Sequence, residues 1–179
     1  MESSGAGWDP VSVLSEEDRG CFSGQWSDLG YLNAPGPFFT GQTDNCWTGR
    51  LHAPRNVIYG GEYFSEYIFR QPRDAGEVAA LVEAAEADPL QGYAYNGDDH
   101  WTPEAVRAWW HSRQRVVEGL TATLDLLDTE KELERDAAQG LRDYLDYLEN
   151  GLEGDLRAYV FRLEAGRYPL PGERLPELG

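Results

Sequence analysis

Lysine is nearly absent from this chain: Lys131 stands alone beside fourteen arginines in 179 residues. That bias, with abundant Ala and Gly, reflects GC-rich coding and says nothing about function. Cysteine is scarce as well. Cys21 and Cys46 lie 25 positions apart, which matches no common zinc-ligand or redox spacing; two thiols fit a reducing compartment, where disulfides are rare, and the sequence does not tell whether these two pair. With three histidines added, few ligands remain for a transition metal, so neither a metal nor another cofactor is expected. No apolar run is long enough to span a bilayer. The stretch Met1–Gly5 carries neither the basic nor the apolar region of a signal peptide, and a cytoplasmic location is expected. A Gly-rich phosphate loop, His-Glu-x-x-His, Gly-x-Ser-x-Gly and Cys-x-x-Cys are all missing. No motif assigns a reaction, and the expectation is a protein that is not an enzyme.

What the chain has in excess is negative charge. The formal net charge is −17, and it is unevenly spread. Residues 74–106 hold eight carboxylates (Asp74, Glu77, Glu83, Glu86, Asp88, Asp98, Asp99, Glu104) and no Lys or Arg. The first 28 residues sum to −5 and residues 128–164 to −6, while the segments between are close to neutral. Such a field attracts cations and basic proteins and repels nucleic acid and anionic membrane. Six Trp, ten Tyr and six Phe rule out wholesale disorder despite the charge.

The pattern predicts an α+β fold in a single domain over 1–179, with a loop-rich and β part at 1–73, a helical part at 74–166 and an extended tail at 167–179. Asp9 and Pro10 open a short helix running to Asp18. Residues 20–56 are Gly-, Pro- and Asn-rich and suggest loops with short strands. Asn56–Tyr59 and Glu62–Phe69 flank Gly60-Gly61 as the arms of a β-hairpin with a two-residue turn. Asp74 and Glu77 form a capping-box-like helix start, followed by the stripe Val78, Leu81, Val82, Ala85 and a stop at Asp88-Pro89. Residues 89–102 form a polar-aromatic loop. Thr102-Pro103 begins a helix with Val106, Trp110, Val117, Leu120, Leu124 and Leu127 on one side, interrupted at Arg113. Thr129 and Glu132 start the next, carrying Leu133, Ala137, Leu141, Tyr144, Leu145, Leu148 and Leu152. Gly151 and Gly154 divide it, and Gly166 ends it. A helical hairpin therefore packs on a small antiparallel sheet from the N-terminal half.

Two constellations could carry chemistry. Asp98, Asp99 and His100 could bind a divalent metal or act as a base with its orienting partner, though turn and cap chemistry explains them more simply. Cys46 with His52 or His111 could form a nucleophile and base, though a small core cysteine is the better reading. Arg107, Arg113 and Arg115 are expected to pair with acids of neighbouring helices. The reading that accounts for most of the sequence is an acidic protein-binding module. Glu83, Glu86, Asp88, Asp98 and Asp99 would supply charge and Tyr93, Tyr95 and Trp101 the anchors that charge lacks. Its partner would be a basic protein, not nucleic acid or membrane, and the module itself an immunity or inhibitor protein that neutralises a basic bacterial toxin or nuclease-type effector. The alternatives are a small hydrolase-like enzyme using an Asp, His and Cys site, or a scaffold whose helical hairpin dimerises. The chain itself is expected to be a monomer or a weak homodimer.

Overall fold

The computed structural model describes residues 7–179; the Met1–Gly5 stretch lies outside them. Among the described residues the elements run α1 (Glu16–Arg19), β1 (Phe39–Thr40), α2 (Gly49–His52), β2 (Val57–Gly60), β3 (Ser65–Ile68), α3 (Ala75–Ala87), β4 (Tyr93–Ala94), α4 (Pro103–His111), α5 (Gln114–Leu124), α6 (Glu132–Asn150) and α7 (Leu152–Ala165). The fold is α+β. β2 pairs antiparallel with β3 and β1 with β4, giving two sheets of two strands each. No helix is long and apolar enough to cross a membrane.

The β2–β3 hairpin is the wall between two hydrophobic clusters. Successive strand residues face opposite sides. Val57, Tyr59 and Ile68 enter one cluster with Phe22, Phe38 and the α3 residues Val78, Leu81, Val82 and Ala85. Ile58 and Tyr67 face the other, made by Trp109, Trp110, Leu120, Leu141, Tyr144, Leu156 and Val160 from α4 to α7. Ala137, Leu141, Tyr144 and Leu148 of the α6 stripe are therefore buried within their own chain, where α6 packs against β2, α5 and α7. Tyr144 is fully buried and its hydroxyl donates to the Leu32 carbonyl at 2.9 Å. Tyr144→Phe leaves that carbonyl unpaired and is expected to cost about 1 kcal/mol. Urea denaturation should show it as a lower midpoint with an unchanged slope.

Several boundaries differ from the sequence expectation, each for a local reason. The first helix is broken: a 3-10 turn spans Pro10–Val13, and Ser15 starts α1 through a capping box with Asp18. The hairpin turn holds four residues, because Gly60 pairs with Ser65, and both Gly61 and Phe64 take positive φ. Glu77 does not complete a capping box on Asp74. Its carboxylate accepts from the Arg73 amide and the Asn56 side chain instead. The helix after Pro103 divides into α4 and α5 at Ser112-Arg113, where Arg113 folds back over the Trp110 ring at 3.9 Å. Thr129 caps nothing. The turn before α6 is held by Glu134 accepting from the Asp128 amide, and Leu133 points to solvent. Residues 89–102 are not all loop, since Tyr93 and Ala94 form β4. Gly151 does separate α6 from α7, and Gly166, at φ 74°, ends α7.

Candidate functional site

The acidic window does not form one face. Helical phase turns Glu77 inward beside Val78 and Leu81, where Arg70 lies at 3.2 Å and Arg55 at 3.8 Å. Asp88 is 1% exposed. Its two oxygens accept from the amides of Asp44 (3.1 Å), Leu90 (3.1 Å) and Gly92 (2.7 Å), so it organises a loop rather than meeting a partner. Tyr93 is fully buried and donates to Glu66 at 2.6 Å. Trp101 is buried edge-on to Trp26, and Trp26 stacks on His100. Asp98 accepts from Tyr159 at 2.8 Å and lies 3.4 Å from Arg162. Burial pushes its carboxyl above the usual range, against the Tyr159 hydrogen bond and Arg162, while Asp9 and Asp99 add to the rise. Asp88, Tyr93, Asp98 and Trp101 are thus drawn into internal contacts.

Glu83, Glu86, Tyr95 and Asp99 remain at the surface or half-buried. Glu86 and Tyr95 meet the segment around α1, and Glu83 meets His52 of α2. Cys21, just after α1, places its Sγ 3.5 Å from Glu86 Oε1 and 3.9 Å from the Glu17 carbonyl. Partial burial and the Glu86 hydrogen bond push this thiol up, and the charges of Asp18 and Glu17 push in the same direction. Glu17 and Asp18 of α1 and Glu86 of α3 thus gather around Cys21 in a ridge, with Glu16 preceding them in α1 and Glu83 one turn before Glu86 in α3. At its edge Tyr95 meets Phe22, and Arg19 covers the Tyr95 ring at 5.2 Å. On the α2 side His52 lies 3.4 Å from Glu83, and the neighbouring Leu51 is 69% exposed. Asp99 is exposed but belongs to the separate turn at Gly97–Asp99.

The cations of the chain are largely committed elsewhere. Arg50 forms a two-point pair with Asp136, Arg73 meets Asp155, Arg157 meets Glu177 and Arg167 meets Glu173. Arg107 pairs with Glu164 as expected of that helix, whereas Arg113 and Arg115 lie over Trp110 and Tyr31 rather than against acids. Arg19 over Tyr95 and His52 beside Glu83 are the basic side chains that these contacts leave at the ridge.

The residues of the enzyme alternative have different companions. Cys46 is exposed, not a core residue, and Asp44 raises its thiol through a hydrogen bond and its charge. His52 faces Glu83, His100 stacks on Trp26, and Asp98 faces Tyr159. His111 points to the Gly179 carbonyl. Both cysteines are free, and among the described residues no three His, Cys, Asp or Glu side chains are arranged to hold a metal ion. The chain matches no family model, and it is detectably similar to no curated protein and no solved structure. The geometry alone carries the functional argument.

Sequence reasoning missed the contribution of α1 to the ridge, because its acids lie outside the densest window. It also missed Glu66, Asn33 and Arg50, polar residues buried by partners distant in sequence. The phase of α3 was a usable signal: Glu77 lies on the stripe of Val78 and Leu81, whereas Glu83 and Glu86 lie off it.

Proposed function

We propose that this chain is an acidic protein-binding module whose partner presents a basic surface. More specifically, it would be a cytoplasmic immunity or inhibitor protein acting on a basic bacterial toxin or nuclease-type effector. One observation supports this above the others. Glu17 and Asp18 of α1 and Glu86 of α3, more than sixty residues apart in sequence, gather around Cys21, while most of the arginines other than Arg19 are engaged elsewhere. Asp18 also caps α1 through Ser15, but like charges brought together repel one another, and an opposite charge arriving from outside would relieve that repulsion. The half-buried Tyr95 and the exposed Leu51 supply apolar contact beside the charge.

The test is co-expression with the product of a toxin-bearing open reading frame adjacent to the gene, together with the association rate of the two purified proteins. Growth should be rescued. The Glu16→Lys, Glu17→Lys, Glu83→Lys, Glu86→Lys variant should associate at least about tenfold more slowly, with a flatter dependence on salt. An unchanged association rate would reduce the ridge to a solubility feature and remove this reading.

A further inference from the structure

Two cavities meet where α6 joins α7. The first, of about 590 Å³, is walled by rings and aliphatic groups, among them Pro35, Pro37, Tyr159, Tyr168 and Leu170. The second, of about 830 Å³, is polar and includes Asp74, Asp143, Asp146 and Asn150. Phe69, Arg73 and Tyr147 line both, so the two are one cleft divided by these three side chains.

The divider is held by contacts that a ligand could replace. Arg73 lies 3.1 Å from Asp155 Oδ2 and 5.8 Å over the Tyr147 ring, and the Tyr147 hydroxyl donates to the same Asp155 oxygen. Arg73 and Asp155 are each about half exposed, at 47% and 52%, and ion pairs of that exposure are weak. In the polar half the arginines already have acids, with Arg50 on Asp136 and both Arg55 and Arg70 on Glu77. Asp74, Asp143 and Asp146 have no ion-pair partner among the described residues. The cleft thus runs from a flat-walled apolar part to one with carboxylates to spare.

We propose that this cleft binds an extended segment of a partner polypeptide in which prolyl or aliphatic residues adjoin an arginine or lysine. The inference rests on the reading of a basic partner and adds a second point of attachment, distinct from the ridge. Proline-rich segments are preformed in an extended helix and dock against aromatic walls, which suits the apolar half. The polar half selects the basic side chain by charge. Arg73 is then an internal stand-in. A guanidinium against Asp155 and the Tyr147 ring is what an incoming arginine reproduces, and Arg73 swings out to solvent when displaced.

The test uses the full chain and a fluorescein-labelled peptide of sequence PPLPRR, with PPLPEE as control, read by anisotropy and by amide shifts. PPLPRR should bind and move the amides of residues 69–74 and 143–155, and PPLPEE should not. Asp143→Asn combined with Asp146→Asn should weaken binding about tenfold. Arg73→Gln should tighten it, by up to about fivefold, because the internal competitor is gone. These opposite signs separate the proposal from a general loss of structure, and the wild-type shift map needs no variant. No binding at millimolar peptide, equal binding of PPLPEE, or weakening by Arg73→Gln overturns it. The ridge variant with four lysines should bind PPLPRR as well as the wild type. If that variant alone loses the peptide, the ridge is the docking site and the cleft assignment falls while the basic-partner reading stands.

Discussion

Asn33→Ala is expected to cost about 3–5 kcal/mol, a large share of the roughly 5–15 kcal/mol that holds a domain folded. Asn33 is 1% exposed and acts as a strand where none is present. Its Oδ1 accepts from the Thr40 amide at 2.9 Å and the Ile68 amide at 3.2 Å. Its Nδ2 donates to the carbonyls of Thr40 at 2.9 Å and Gly30 at 3.2 Å. One amide group thereby joins β1 to the outer edge of β3, and the Thr40 hydroxyl continues the seam by donating to the Glu66 carbonyl at 2.7 Å. An unpaired sheet edge buried without such a partner strands its polar groups. Alanine would leave two amides and a carbonyl buried and unpaired, at about 1–3 kcal/mol each, offset where the site relaxes. Chemical denaturation measures the loss, and amide exchange at Thr40 and Ile68 should accelerate beyond the global effect. A loss below about 1 kcal/mol would mean that water replaces the side chain and that the two sheets are not coupled through it.

What was legible in the sequence was what is local. The α3 stripe, the proline start of α4, the hairpin arms and the Gly166 stop follow from period and capping, and the structure has them all. The breaks at Leu14, Arg113 and Gly151 were partly legible, since Arg113 interrupted the stripe and Gly151 lacks a side chain to pack. What was not legible was long-range. Tyr93 looks like an aromatic in a polar loop, yet Gly92 before it lets two backbones approach so closely that a Cβ there would lie 2.1 Å from the Gln42 carbonyl oxygen. That approach seats β4 against β1 and buries Tyr93. The burial of Asp88 was not legible for the same reason. The amides it binds come from residue 44 and from the turn that follows it, so its role exists only once β1 and β4 have paired. A window of like charge in sequence is not a surface. Of its eight acids the fold buries Glu77 and Asp88 and sets Glu86 beside Glu17 and Asp18 of α1.

The second large effect concerns Glu66, which is fully buried. Its two oxygens accept from the Tyr93 hydroxyl at 2.6 Å and the Gly49 amide at 2.8 Å. Gly49 must be glycine for this approach, since a Cβ there would lie 2.4 Å from Glu66 Oε1. Burial raises the carboxyl above its ordinary value; the two hydrogen bonds oppose the rise, and Asp44 and Asp88 add to it. A carboxyl with a raised folded-state pKa binds its proton more tightly folded than unfolded. Its contribution to stability is therefore full below pH 4.5, the unfolded value, and declines as pH rises through the folded value. Glu66→Gln removes that titration and can keep an oxygen on the Gly49 amide. The variant's stability relative to the wild type should rise from pH 4.5 toward neutrality, and its stability-pH curve should be flatter. Glu66→Ala behaves differently, leaving the Tyr93 hydroxyl and the Gly49 amide buried without partners and losing about 2–5 kcal/mol at every pH. Denaturant midpoints across pH 4 to 8 for the three proteins decide the matter. Parallel curves for the wild type and Glu66→Gln would show that another group carries the pH dependence.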